Sequence, residues 1–485
     1  MKRQSGANAA RLQRKAIFRG NSHFLGLALF AMLTGIVSPN ANAGLGLSER
    51  ELGMTAFGYF NPVLYQKSPG LAALQFSFRD EQLAEAKKNG WAIDVQGVAS
   101  SYLMVGTAPG SSAPPSFWFE APELAWTPPR SENAQITIGR KIKNWSSLDE
   151  EWGLGIWQAR NRWDYLHVSP VGLAGIFYEQ QNGAWGIRIF ASPLFIPERG
   201  PTLSVRDGVF YPSNPWASSP PARAPLVKGV DADIQYTIMM PSLAKILLQP
   251  SVAAQTRYGA EDGKDGEWIT ASYAYKPVNQ IALAYDGGYD LGSENATAPI
   301  YPRIAHHHIA QVEAGSRGKR SGAWVSALRE VPVMDAAPDT WTYQTFPSSW
   351  LLGAGGAFKL TNGVEAFGDY LKRFGPAAVD QGPLASPGSS VFDPRTLYEH
   401  AVSGGLRGSV LGSERLTAKV KMTYAFETAG TLLSTELRYR PLRSWIVAVG
   451  ADVLGADDPK QSGQNDFITK YRAHDRVYGG VSYAY

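Results

Sequence analysis

Strict period-two alternation over segments of about ten residues constrains this chain more than any other feature. Successive side chains of a strand point to opposite faces. Between Arg415 and Phe426 that rule sorts the residues cleanly. Leu416, Ala418, Val420, Met422, Tyr424 and Phe426 share one face, while Arg415, Thr417, Lys419, Lys421 and Thr423 share the other. A strand apolar on one side and charged on the other suits a wall with lipid outside and water inside. The pattern recurs. Trp185, Ile187 and Ile189 oppose Arg188; Ile281, Leu283 and Tyr285 oppose Gln280 and Asp286. Tyr398, Val402, Leu406 and Val410 oppose Glu399, Ser403, Arg407 and Ser409, and Leu433, Leu437 and Tyr439 oppose Ser434, Glu436, Arg438 and Arg440.

The two ends of the chain say where such a wall would stand. Lys2, Arg3, Arg11, Arg14, Lys15 and Arg19 precede an apolar run over 24–37 and then Ala41-Asn42-Ala43. A basic region, a short apolar region and an A-x-A site read as a secretory signal peptide, residues 1–43, cleaved after Ala43. The run is shorter than the roughly 20 apolar residues a membrane helix needs. Removing its six positive charges from the formal +4 leaves the rest near −2, so no basic surface points to nucleic acid. Cysteine is absent, which excludes disulfides and a lipidated cysteine.

Connection lengths give an independent test, because exported barrels have short turns on the periplasmic side and long loops outside. Counting back from Tyr485, long segments cover 455–474, 375–396, 333–347, 289–303, 195–228 and 143–170. Tight turns fall at 411–414, 361–363, 317–320, 277–280 and Asn182-Gly183, and the short 428–431 connection on the long side breaks the alternation once. The expected fold is all-β: a transmembrane antiparallel up-and-down β-barrel of about 18 strands, within 16 to 20, over residues 91–485. Residues 44–90 are expected to form an N-terminal periplasmic segment or plug, with a short helix over 80–88. Pairing of 54–65 and 71–79 would instead add two strands.

Candidate chemistry is sparse. There is no G-x-S-x-G, H-E-x-x-H or phosphate-binding loop, so the expectation is no enzyme, no catalytic residue and no cofactor. His306 and His308 fall on one face of a strand and His307 on the other, too few for a metal site without further ligands. The acidic stretch Glu261, Asp262, Asp265 and Glu267 does not follow a calcium-loop spacing and reads as a solvated hairpin tip. On presumed inner faces, Arg188, Arg407, Arg415, Lys419, Lys421, Glu436, Arg438 and Arg440 are candidate pore-lining residues, mostly basic. The 143–170 loop crowds Trp145, Asp149, Glu150, Glu151, Trp152, Arg160 and Arg162 together. It is read either as a loop folded compactly at the barrel mouth or as an inward constriction. The Pro-rich 193–225 stretch cannot continue a strand and is expected as an outer loop.

The terminal D-R-V-Y-G-G-V-S-Y-A-Y resembles the insertion signal of bacterial outer-membrane barrels at Gly480, Tyr483 and Tyr485. With it, the chain resembles Gram-negative outer-membrane barrels of porin type. G-R-K-I-K-N-W, G-L-G-I-W-Q and S-P-L-F-I-P within 136–201 are also similar to uncharacterised barrels of predatory deltaproteobacteria. The first resemblance implies an outer-membrane channel for small hydrophilic solutes, inserted by the barrel-assembly machinery and surrounded by lipid and lipopolysaccharide. It also leaves room for a homo-oligomer. A structural or adhesion barrel with a closed lumen is the competing expectation.

Overall fold

The computed structural model describes residues 49–60, 70–80, 92–105, 116–129, 133–201, 203–212, 214–217, 220–225, 231–260, 264–290, 295–361, 363–385, 391–456 and 466–484. The expected leader, residues 81–88 of the expected helix, Glu261, Asp262, Asn362 and Tyr485 lie outside them.

Eighteen strands close into one antiparallel barrel. In chain order the staves are β1 (Glu49–Tyr59), β2 (Gly70–Asp80), β3 (Ala92–Val105), β4 (Ser116–Thr127), β5 (Ala134–Lys141) and β6 (Leu173–Asn182). Then follow β7 (Trp185–Ser192), β8 (Ser251–Gly259), β9 (Gly266–Pro277), β10 (His306–Arg317), β11 (Ser321–Val333) and β12 (Ser349–Thr361). The ring finishes with β13 (Val364–Phe374), β14 (His400–Val410), β15 (Ser413–Ala425), β16 (Gly430–Leu442), β17 (Trp445–Ala456) and β18 (Arg476–Ala484). Each pairs with its chain neighbours. Closure comes from β1 against β18, in register from Glu51 opposite Ala484 to Tyr59 opposite Arg476. Closing the sheet leaves no unpaired edge.

The expected strand number is met with a different membership. Residues 49–59 and 70–80, expected outside the barrel, are its first two staves, and 16 staves rather than 18 follow residue 91. Their alternation is faint because the inward positions nearer the loops, Phe57, Tyr59 and Leu71, are apolar and buried, and so match the lipid-facing side. The 281–286 stretch errs the opposite way. Ala282–Tyr285 is a short strand of a loop sheet, paired with Asn295–Arg303 and Thr342–Thr345, and the described residues between β9 and β10 stand outside the barrel wall. Its alternation is real, with Ala282 and Ala284 fully buried and Leu283 exposed, but any half-buried strand alternates. The turn carrying Asp265 therefore falls at the same end as Gly183, not among the loops. Tyr398, expected on the lipid side, lies before β14 and packs inward on Trp152.

With these shifts long and short connections alternate, except that the short 426–429 link still stands at the loop end. One end carries the turns; the other carries the loops, including a seven-stranded sheet of loop segments running from Arg223–Pro225 to Val379–Gln381. Outside, the wall is apolar between two aromatic belts. Trp185 pairs with Tyr258 (4.9 Å) and Trp445 with Tyr483 (5.1 Å) near the turns; Tyr275 stacks on His306 (5.2 Å) and His400 on Phe426 (4.2 Å) near the loops. Ile189, Val312, Leu352 and Leu406 are exposed between them. That is the surface of a membrane-spanning barrel.

Candidate functional site

The loop joining β5 to β6, residues 142–172, runs into the bore. Its helix α1 (Ser147–Trp152) is capped by Ser146, whose Oγ accepts the Asp149 N–H at 3.1 Å, and ends at Gly153 in the left-handed conformation, φ 59°. The helix places Leu148 and Trp152 against the inner wall, in one buried cluster with Phe177, Phe190, Ala253, Ala274, Ile309, Leu328, Leu351, Leu371 and Ala401. All of these wall residues occupy inward positions of staves β6 to β14. Contact is close enough to select glycine: a Cβ on Gly353 would lie 2.3 Å from Leu148 Cδ1.

Polar contacts pin the loop at both ends. Ser147 donates its N–H (2.9 Å) and its Oγ–H (2.8 Å) to the Glu313 carboxylate of β10. The neighbouring Gln311 amide donates to Ser146 Oγ at 2.6 Å and accepts from the Trp157 indole N–H. Within the loop, Arg160 pairs with Glu150 (3.1 Å) and Asp149 (3.4 Å) and Arg162 donates to the carbonyls of Gly153 and Leu154; Arg162 also pairs with Glu198 (3.1 Å) of the segment after β7. Burial holds the Glu150 and Glu198 carboxyls above their ordinary range even though the arginines pull the other way.

At the far end, Trp163 stacks on Tyr102 of β3 with centroids 3.4 Å apart. Asp164 accepts from Arg476 of β18 (2.7 Å), which also donates to Asp452 of β17 (2.8 Å). All three are buried. β10 and β18 stand eight staves apart in a ring of 18, so the loop crosses the bore. Three more loops fold in beside it. Tyr165 and Trp216 pack with Phe467, Ile468 and Tyr471 of the helix α3 (Phe467–Tyr471), and Arg395 pairs with Asp393 (2.8 Å) and Glu330 (2.6 Å), the latter also 2.6 Å from His307.

The sequence-derived mouth-loop residues are thus brought together: Trp145, Asp149, Trp152, Arg160 and Arg162 are buried and Glu150 half-buried, while Glu151 stays exposed. The pore-lining candidates divide. Arg188 is spent on fixing the loop, donating to Glu179 (2.7 Å), Gln255 (3.1 Å) and the Asn144 carbonyl (2.6 Å). Arg407, Lys419, Lys421, Glu436 and Arg438 form a continuous inward patch across β14, β15 and β16, with Arg407 opposite Lys419 and Lys419 opposite Glu436. Arg407 pairs with Glu365 and Arg438 with Glu436; Lys419 is exposed, and Lys421 reaches over the Trp152 ring at 5.8 Å. Arg415 and Arg440 share the inward parity nearer the turns. Of the insertion-signal residues, Gly480 faces Thr55 across the closing seam and Tyr483 faces outward beside Trp445.

Sequence reasoning missed Glu313, Gln311, Arg476, Asp452, Glu330 and Arg395. Each is a polar residue at an inward strand position or in a loop, and only the loop's entry into the bore distinguishes it from a solvated one.

No protein-family model matches the chain, and comparison with curated proteins found no match. Among solved structures it is similar to a BenF-like porin from Pseudomonas fluorescens Pf-5, with 11% identity and TM-score 0.46 over 90% of this chain and 98% of that one. It is also similar to Pseudomonas aeruginosa OpdQ, with 10% identity and TM-score 0.44 over 90% and 97%. Acinetobacter baumannii OccAB2 follows, with 9% identity and TM-score 0.41 over 91% and 99%.

Proposed function

We propose that this chain is an outer-membrane channel of porin type for small hydrophilic solutes, narrowed by the 142–172 loop and mildly anion-selective. The observation that carries this reading is the inward patch on β14 to β16. A membrane barrel of this strand number is wide enough for water unless it is filled, and Lys419 keeps its ammonium exposed to the bore beside Lys421 and Arg407. Excess positive charge on a narrow aqueous wall raises the local concentration of anions and sets selectivity. Bonded carboxylates at Glu365 and Glu436 dilute the field, which keeps the preference mild.

A second reading has its own observation: the loop crosses the bore and is pinned at Glu313 and Arg476. A bore closed in this way suits a structural or adhesion barrel whose long loops make surface contacts. Conductance of the purified protein in a planar bilayer, with the reversal potential read under a salt gradient, separates the two. The channel reading expects discrete steps with an anion-side reversal potential, and Lys419→Glu with Lys421→Glu is expected to move it to the cation side. A folded barrel without conductance would end the channel reading in favour of the second.

A further inference from the structure

Above the rim of β7 and β8, the outer surface departs from what water tolerates. The helix α2 (Leu243–Leu247) hangs on the 193–196 segment through a hydrogen bond from Phe195 N–H to the Leu247 carbonyl at 2.8 Å. It turns Ile246 inward and leaves Leu243 (69%), Leu247 and Leu248 exposed, next to Leu194 and Ile196. Patches of this kind mark a contact surface rather than scattered apolar residues. This patch is continuous with the lipid-facing band, because Ala191 and Val252, exposed and paired where β7 ends and β8 begins, stand directly below it.

The patch opens into a groove of about 540 Å³ lined by Met239, Met240, Tyr301 and Trp341, with Lys245 and Arg303 at its polar edge. Tyr301 and Trp341 stack at 4.0 Å and give the groove a rigid wall. Arg303 is held in place: one end of its guanidinium donates to the carbonyls of Asp335 and Ala336, and its face lies 5.3 Å over the Tyr343 ring. Its Nη1 is buried and has no hydrogen-bond partner, and among the described residues neither Arg303 nor Lys245 has a carboxylate partner. Two cations at the edge of an apolar slot, at the height where the lipid-facing wall ends, complement an amphiphile with acyl chains below and phosphate above.

We infer that this groove is a binding site for one phosphorylated glycolipid of the outer leaflet, its phosphate between Lys245 and Arg303 and an acyl chain against Met239, Met240 and Trp341. The site rests on the membrane reading above.

Native mass spectrometry of the detergent-purified mature chain tests it, with bisphosphorylated lipid A as the probe and lipid A of the same acylation without phosphates as the control. The expected result is binding of the phosphorylated lipid at least about tenfold tighter, with that preference abolished by Lys245→Glu and by Lys245→Glu with Arg303→Gln. Equal binding of both lipids, or an unchanged preference in the variants, overturns the site. So does a disulfide between two copies of Leu243→Cys in intact membranes, which would assign the patch to a second copy of the chain. Outer-membrane fractionation and the heat-dependent gel shift are read on the same samples. A correctly fractionated barrel without the preference sinks the groove alone, whereas a soluble wild type sinks the membrane reading itself.

Discussion

Along β6 to β13 one level of inward positions is apolar, Phe177, Phe190, Ala253, Ala274, Ile309, Leu328, Leu351 and Leu371, covered by the crossing loop, and the polar inward residues beside it, such as Gln255, Gln311 and Glu313, are bonded to that loop. Along β14 to β16 the positions nearer the turns read Arg407, Lys419, Lys421, Glu436 and Arg438, with Lys419 and Arg407 exposed to the bore. The outward faces of the two regions are alike, apolar and lipid-facing. What differs is the medium inside. A stave facing water must be polar there, whereas a stave facing protein is free to be apolar and small, and its period-two polarity fades. The barrel therefore records, stave by stave, where its own loops lie.

The largest expected effect comes from removing what separates the regions. Replacing 147–171 by a short Gly-Ser linker is expected to raise single-channel conductance at least about threefold, because the segment that crosses the bore and packs along the β6 to β13 wall is then gone. Unchanged conductance would mean that the bore is limited elsewhere and that the contrast between the walls does not govern passage.

Charge removal sharpens the comparison at equal chemistry. Arg476→Leu strips the cation from buried Asp164 and Asp452 and is expected to lower stability by about 3–5 kcal/mol, as for any buried pair left with one partner. Arg407→Leu, on the wetter wall, breaks a half-exposed pair with Glu365 and is expected to change stability by about 0–1 kcal/mol. The denaturant midpoint of the folded, fast-migrating gel band measures both. Equal effects would show that the two walls are equally wet.

A smaller effect is expected from Lys470 on α3. It lies 4.6 Å from the Phe392 ring, and burial pushes its ammonium down to about 8 from an ordinary 10.5. Between those values the unfolded chain holds the proton that the folded chain has lost, so stability rises as pH climbs from about 8 to about 10.5 and is flat in this respect below 8. Lys470→Met is expected to remove that slope in a pH series of unfolding midpoints; a slope that persists would place its origin elsewhere.

How much of this was legible in sequence follows from the same contrast. The 415–426 segment announced its stave, its faces and its neighbours, because lipid on one side and water on the other imposed the pattern residue by residue. The first two staves were hidden, since Phe57, Tyr59 and Leu71 point inward at Trp163 and look no different from lipid-facing residues. Ala282–Tyr285 carried the right alternation for the wrong sheet. The mouth loop was recognised as unusual from its tryptophans and charges, yet its partners Glu313, Gln311 and Arg476 lie more than 150 residues away along the chain and no local spacing connects them. Composition located the loop; only the closed ring located the residues that hold it.

The seam between β1 and β18 joins the two ends of the described chain, and Arg476 sits at its loop-side end, opposite Tyr59. Its guanidinium is satisfied only when Asp452 of the neighbouring stave and Asp164 of the crossing loop are both present. A ring that zipped up around an empty bore would leave that cation facing one acid instead of two, beside the bare rings of Phe57 and Tyr478. Seam and loop therefore hold one buried ion network in common, and the closing stave is fully satisfied only with the loop in place.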